Sequence, residues 1–471
     1  MLLLTLGTNV LVARGLGVSG FGIYSVVIAM HTLAMVATNL GVSYGNSFFA
    51  GKGKYDLSEL HTNSLLVSLV MGLLLTAGYY LVGPPLVRLF LKNVDPSLVI
   101  LAIWAVPFAL YISYVIGIWL GLERISLVNR FDALRGMVLF GGTVVSYQVY
   151  RNLTAMLLAW LSSLVVTAIA IAGLLLARDK VKLKTSWNSL KESSRYGLML
   201  HLGSLAGILH LRFDIFVVNY FLGPAAVGLY SLARTLTEYI WGVPVMIMRA
   251  AAAKVIGSDD EESWRLVASI AGIVALTLAG ISVLLYGLAP AIVSLIYGSD
   301  FLAAVYPLRL LLPGVIAMGV FTTLCHYFTW NLGKPQISTK LTWIAVGINV
   351  PLVLLLVPSL GVMGAALAST ISYCLGLTFV FYYIKHYLNK RAIDILTFSR
   401  RDLELYLANW IKVRKTLRSG ISISGAKRGR FQTTYILLQQ FLGQVVVLTA
   451  IIALTIILVP LDLIMALAYR K

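Results

Sequence analysis

Apolar stretches of about 18 to 25 residues recur from one end of this sequence to the other, and no other feature limits the possible folds so severely. A helix of that length crosses roughly 30 Å of hydrocarbon. Such spans are expected at about 22–46, 64–82, 98–120, 136–150, 153–176, 196–221, 225–248, 265–287, 308–330, 341–358 and 363–384. Only 12% of the 471 residues are charged and mean hydropathy is +0.90, so lipid, not water, is the solvent for most of the chain. In lipid the backbone must satisfy its own hydrogen bonds, which leaves helices as the form for runs of this length. The expected fold class is an all-α polytopic membrane protein of about 12–14 transmembrane helices.

Two stretches at the ends fit the pattern less simply. The apolar run at 1–13 is short of a full crossing and is expected to be the remainder of a helix that starts upstream. The run at 435–468 is long for one upright helix, so it is read as one span with an interfacial continuation after Pro460.

The formal charge of +19 would suggest nucleic acid in a soluble protein, but here the cations sit between spans. With a cytoplasmic N-terminus, the loops at 51–63, 121–135, 178–195, 249–265, 331–340 and 385–434 hold 28 of the 37 Lys and Arg. The opposite side keeps only Arg14, Arg88, Lys92, Arg151 and Arg309. That asymmetry sets membrane orientation and argues against a nucleic-acid partner. The 385–434 segment mixes many of those cations with Leu403, Leu405, Leu407, Trp410 and Ile411, the pattern of a stretch lying on anionic lipid headgroups or of a solvated linker that obeys the same bias.

The sequence also repeats. LGVSGFGIYS at 16–25 returns as LGPAAVGLYS at 222–231, an offset of 206 that pairs Gly17 with Gly223, Gly22 with Gly228 and Tyr24 with Tyr230. The same offset pairs Pro107 with Pro313, and after a six-residue shift Leu120-Gly121 meets Leu332-Gly333. Six spans per copy make the repeats parallel, the arrangement of two bundles facing a central cavity with alternating access. The domain expectation is a six-helix lobe at 1–177, a basic cytoplasmic linker at 178–195, a second six-helix lobe at 196–384, the basic segment at 385–434 and an extra span at 435–471.

The phrase ARGLGVSGFGIYS at 13–25 resembles the opening signature of the polysaccharide flippases in the multidrug, oligosaccharidyl-lipid and polysaccharide exporter superfamily. RFDIFVVNYFLGPAAVGLYSLA at 212–233 is similar to the start of their second lobe, and IYGSDFLAAVYPLRLLLPG at 296–314, NLGKPQIS at 331–338 and LVPSLGVMGAALASTISYCLG at 356–376 resemble their C-terminal domain. The resemblance implies a two-lobe flippase of the plasma membrane that moves an oligosaccharide on a polyprenyl (pyro)phosphate from the cytoplasmic to the outer leaflet. Glycosyltransferases or a polymerase of the same glycan route are its implied partners.

Four charges stand inside spans: Arg212, Asp214, Arg234 and Glu238. An isolated charge at that depth costs about 2.5–3.5 kcal/mol or more, so each must face water or a partner. Arg212 and Arg234 are candidates for the substrate's phosphate groups, because guanidinium offers a bidentate fork to phosphate oxygens. The structural alternative is an ion pair, and Arg234 and Glu238 are four apart on one helical face. Asp214 and Glu238 are candidates for a coupling proton or sodium ion. Asn39 and Asn219 could contact sugar hydroxyls or bridge helices. His31, His201 and His326 lack accompanying ligands and are read as core histidines, and Cys325 and Cys374 as packing residues.

No cofactor or metal is called for. Gly51-Lys52-Gly53-Lys54 lacks the spacing of a phosphate-binding loop. A membrane glycosyltransferase or ligase would be expected to carry paired outer carboxylates, where this chain offers only Asp95 and Asp300. A cation-coupled multidrug exporter of the same superfamily stays open as the alternative. The charge asymmetry makes a direct prediction: a tag in 385–434 is cytoplasmic and one in 83–97 external, and protease protection with the opposite pattern would invert the topology.

Overall fold

The computed structural model describes residues 2–390, so most of the expected basic segment and the expected extra span at 435–471 lie outside the described residues. Twelve α-helices follow one another there: α1 (Leu2–Thr38), α2 (Val42–Lys52), α3 (Leu57–Phe90), α4 (Pro96–Gly121), α5 (Ile125–Val145), α6 (Leu153–Ala177), α7 (Trp187–Leu222), α8 (Pro224–Gly257), α9 (Asp260–Ile296), α10 (Val305–His326), α11 (Pro335–Leu360) and α12 (Val362–Tyr387). Among the described residues there is no strand, and nine helical stretches are long and apolar enough to cross a membrane. The protein is an all-α polytopic membrane protein.

Two boundaries differ from the hydropathy reading. The expected span at 22–46 is two helices, because Leu40 and Gly41 adopt left-handed backbone (φ 53° and 75°) and end α1 at Thr38. The short run at 1–13 is no separate element: α1 passes through it and bends at Gly17 (φ 65°, ψ −175°), a conformation that costs glycine little and other residues much. Apolar content is blind to both events. Of the loop expected at 178–195, only the part to Ser186 is non-helical, since Ser186 accepts from Ser189 N at 3.3 Å and caps α7.

Packing divides the chain into two compact units. The first comprises Met1–Leu232, Tyr297–Pro307 and Val346–Ala368. Its centre is apolar, with Leu110, Tyr114, Ile118 and Trp119 of α4 fully buried. Two pairs of buried polar groups bond across its helices: Asn46 Nδ2 donates to Ser64 Oγ at 2.9 Å, and His61 Nε2 meets Tyr111 OH at 2.8 Å. α2 lies against α7 at Gly41, Gly45 and Gly197, where any Cβ would strike the opposing backbone, and against α4 at Gly117 and Gly121 in the same manner. Small residues four apart let helices touch where lipid supplies no hydrophobic drive.

The stretch before α7 is strapped to α3. Lys182 N donates to Ser58 Oγ (3.2 Å) and Lys184 N to Thr62 Oγ1 (3.0 Å), while Asn63 Nδ2 donates to the carbonyl of Ser186 (2.7 Å). Lys184 Nζ adds an ion pair with Glu59 at 2.8 Å. Every second residue of an extended segment is thus held by one face of α3.

The second unit comprises Ala233–Ile296, Leu308–Ala345 and the described part of Ser369–Lys471. Val267, Ala271, Val274 and Leu278 form the buried stripe of α9, and Gly319 admits Leu278 where a Cβ would not. Close to Pro313, the carbonyl of Leu310 accepts the hydroxyl of Thr370 from α12 at 2.6 Å and ties the two helices together. At the start of α9, Asp259 Oδ1 accepts from Glu262 N (2.8 Å), and Lys390 Nζ pairs with Asp260 (3.2 Å) and Glu261 (2.6 Å).

The sequence repeat has a structural counterpart inside the first unit. Gly17 and Gly223 share one unusual backbone state, the second at φ 82° and ψ −179°. A Cβ on Gly22 would land on the carbonyl oxygen of Pro224, and a Cβ on Gly228 on the carbonyl oxygen of Val18. Val18 and Pro224 are themselves 206 apart, so the contact is self-reciprocal, as a two-fold relation between two copies requires. Gly22→Ala or Gly228→Ala is therefore expected to destabilise the detergent-solubilised protein by about 1–3 kcal/mol. Gly78→Ala, whose Cβ would meet nothing within 4 Å, should be neutral or gain up to about 1 kcal/mol. Thermal melting of the three variants checks this, and equal melting of all three would refute the seam.

Candidate functional site

Of the residues proposed from sequence, Arg212, Asp214 and Asn219 of the first unit stand on α7 ahead of the turn that joins it to α8. Gly223 makes that turn possible and donates its N–H to the carbonyl of Asn219 at 3.0 Å. Asn219 is fully buried, and its Nδ2 donates to the carbonyl of Lys92 at 3.4 Å. One turn and a half earlier on α7, Asp214 is also fully buried. Tyr230 of α8 donates its hydroxyl to Asp214 Oδ2 through a short hydrogen bond, and Ile215 N donates to Oδ1 at 2.9 Å. Arg212, two residues from Asp214, is half-buried, as expected for neighbours that face different sides of a helix.

In the second unit, Arg234 is buried and its Nε donates to Glu238 Oε1 at 3.1 Å, within one face of α8. The i,i+4 pairing read from sequence is therefore present, and the Nε edge of the guanidinium is engaged within its own helix. Thr237 Oγ1 donates to the carbonyl of Arg234 at 2.7 Å.

The repeat supplies an internal reference for these charges. At the 206 offset, Arg212 corresponds to Leu6, Asp214 to Thr8, Arg234 to Ile28 and Glu238 to Thr32. The threonines of the first copy bond to their own helix, Thr8 Oγ1 to the Leu4 carbonyl and Thr32 Oγ1 to that of Ile28, each at 2.8 Å. The shared backbone frame is thus built equally well without charge, and the four ionic side chains belong to the second copy alone.

The remaining sequence candidates have local partners. Asn39 sits in the turn between α1 and α2. Its Oδ1 accepts from Ser43 Oγ at 3.1 Å, its Nδ2 donates to Ser113 Oγ at 3.5 Å, and its carbonyl takes the hydroxyl of Tyr114 at 3.1 Å. His31 donates through Nδ1 to the carbonyl of Ala102 at 3.0 Å and stands edge-on to Trp160. His326 does the same to Thr322 at 2.6 Å, beside Trp330. His201 is buried. Arg309 donates to the carbonyl of Tyr286 at 3.1 Å with its guanidinium 4.6 Å above the ring. Cys325 and Cys374 are free thiols. Among the described residues no three His, Cys, Asp or Glu side chains are grouped for a metal.

Two residues escaped the sequence reading. Tyr230 carries the hydrogen bond to Asp214, and the pairing of Tyr24 with Tyr230 in the repeat was the available signal. Asn349 of α11 is fully buried with neither carboxamide atom hydrogen-bonded, and a lone asparagine in an apolar run gave no signal beyond its polarity.

Comparison with known proteins follows from this geometry. A family profile described as "Polysaccharide biosynthesis protein" matches residues 2–253, and one described as "Lipid II flippase MurJ" matches residues 155–435. A protein of Haloferax volcanii named "Probable low-salt glycan biosynthesis flippase Agl15" is 21% identical over 275 residues, 56% of this chain and 56% of that protein. The match therefore spans little more than half of that relative's length. Among solved structures, an inward-facing multidrug resistance MATE family transporter of the MOP superfamily superposes with a TM-score of 0.67 at 19% identity, covering 81% of this chain and 93% of that one. The inward closed conformation of the lipid II flippase MurJ gives 0.65 at 14% identity, covering 95% and 97%. These likenesses establish the fold, and the two profiles, each spanning more than half of the chain, establish the kinship. The chain belongs to the polysaccharide biosynthesis protein family.

Proposed function

We propose that this chain is a transporter, not an enzyme, and that it carries a polyprenyl-(pyro)phosphate-linked oligosaccharide from the cytoplasmic to the outer leaflet of the plasma membrane. The N-terminus is cytoplasmic in this proposal, and two lobes alternate access to a central cavity. The observation that carries it is the one-sided placement of charge. Arg212, Asp214, Arg234 and Glu238 occupy positions where the matching copy holds Leu6, Thr8, Ile28 and Thr32. Charged side chains, which a membrane disfavours, stand where the matching copy holds uncharged ones, and this supports a role with an anionic substrate.

In this proposal Arg212 and Arg234 receive the phosphate groups and Asn39 and Asn219 hold the site's walls in register, with contact to sugar hydroxyls as their possible direct part. Asp214 and Glu238 take the coupling proton or sodium ion. The buried Asp214–Tyr230 pair gives a specific reason to keep a second reading, a cation-coupled exporter of small molecules on the same fold. Glycosyltransferases or a polymerase of a glycan route would be its functional partners, and anionic lipids the partners of 385–434.

The test is flipping of a lipid-linked oligosaccharide in vesicles at matched protein levels. Arg212→Lys and Arg234→Lys should reduce transport substantially because charge survives but the fork does not. The alanine variants should lose more, on the order of 2–5 kcal/mol of binding. If Arg234 only neutralises Glu238, a joint Arg234→Ala, Glu238→Ala change will restore most of the activity lost in Arg234→Ala. That rescue, or full transport by both single alanine variants, removes the phosphate role.

A further inference from the structure

The seam between α2 and α7 carries a second feature that the charged residues do not use. Because Gly41, Gly45 and Gly197 bring the two backbones into contact, side chains along one edge of the seam are pressed into a common surface. Phe48 on α2 and Tyr196 on α7 meet there, and Tyr44 stands one turn before Phe48 on α2. The rings of Phe48 and Tyr196 stack at 4.1 Å with 19° between their planes. Tyr44 OH and Ser204 Oγ, from opposite helices, are 2.5 Å apart.

These three rings are 37%, 37% and 43% exposed, so their outer faces are covered by nothing in the first unit. Exposed aromatic residues in a membrane protein ordinarily face lipid at the interface. Here charged groups stand beside the rings instead. Lys52 Nζ lies over Phe48 at 5.8 Å, and the exposed Lys54–Glu192 ion pair, at 2.5 Å, bridges the same two helices. Ammonium and carboxylate groups beside the rings would be desolvated against acyl chains.

A stacked aromatic pair that is still partly exposed, with ammonium and hydroxyl groups beside it, has the chemistry that recognises carbohydrate. The C–H face of a pyranose packs on a ring, its hydroxyls reach polar neighbours, and the ammonium favours an anionic carrier. We propose that Tyr44, Phe48 and Tyr196, with Lys52 at their edge, form a stacking platform for the sugar rings of the transported amphiphile, distinct from the arginines that would hold its phosphate. This inference rests on the function proposed above. Stacking reads ring faces and not hydroxyl patterns, so the platform would tolerate different pyranoses.

The experiment uses the full-length protein in lipid nanodiscs with two probes, farnesyl pyrophosphate and the same carrier bearing an N-acetylglucosamine disaccharide. The unmodified protein should bind the sugar-bearing probe more tightly. A Phe48→Leu, Tyr196→Leu double variant keeps apolar surface but removes the rings, and should lose about tenfold in affinity for the sugar-bearing probe alone. Arg212→Ala should weaken both probes alike. Unchanged binding by the double variant, or an equal loss on both probes, overturns the platform while leaving the proposed function standing. If the unmodified protein takes neither probe, the proposed function fails and the platform with it. As a second measure, Tyr196→Cys in a Cys325→Ala, Cys374→Ala background should react with a membrane-impermeant maleimide and be protected by the sugar-bearing probe. A thiol that stays unreactive places the rings against acyl chains and also overturns the proposal.

Discussion

Direct contact between helix backbones is the constraint on which the first compact unit depends. Lipid tails are as apolar as leucine, so burying side chains against each other gains little over burying them in the bilayer, and close fit must supply the association. Glycine allows that fit. Gly22 and Gly228 at one seam, Gly41 and Gly197 at another, and Gly117 and Gly121 at a third each leave room for an opposing carbonyl that a methyl group would fill. Once those distances are set, the positions of Asn46, His61 and Tyr114 within hydrogen-bonding reach of partners on neighbouring helices follow.

The seams also leave side chains elsewhere on the same helices available for ionic groups. A helix pair held by backbone fit does not need its side chains for adhesion. Tyr230 can then serve Asp214, and Arg234 can serve Glu238, without either pair carrying the fold. The first copy of the repeat carries Leu6, Thr8, Ile28 and Thr32 at the matching positions.

Much of this was legible in the residues. The apolar runs located nearly every helix, because crossing a bilayer imposes both length and composition. The 206-residue repeat anticipated that Gly17 and Gly223 share a conformation and that Gly22 and Gly228 have equivalent work. The i,i+4 spacing anticipated the Arg234–Glu238 contact. What escaped was information that hydropathy does not contain. The break at Leu40–Gly41 depends on a left-handed turn inside an apolar run. The commitments of Asn39 to Ser43, Ser113 and Tyr114 depend on which helices become neighbours. The strapping of residues 182–186 to α3 depends on Ser58, Thr62 and Asn63, polar residues of the stretch read as a cytoplasmic loop at 51–63.

The reciprocity of the Gly22–Pro224 and Gly228–Val18 contacts has a historical consequence. An interface that maps onto itself when its two sides are exchanged can be made by two separate copies of one half-length chain. In such a homodimer any charge gained at one position appears twice, facing its own twin across the axis. Joining the halves in one polypeptide removes that penalty, because a substitution then enters one side only. The ionic residues of the second copy, opposite leucine, threonine and isoleucine in the first, are what a fused duplicate is at liberty to acquire and an identical pair is not.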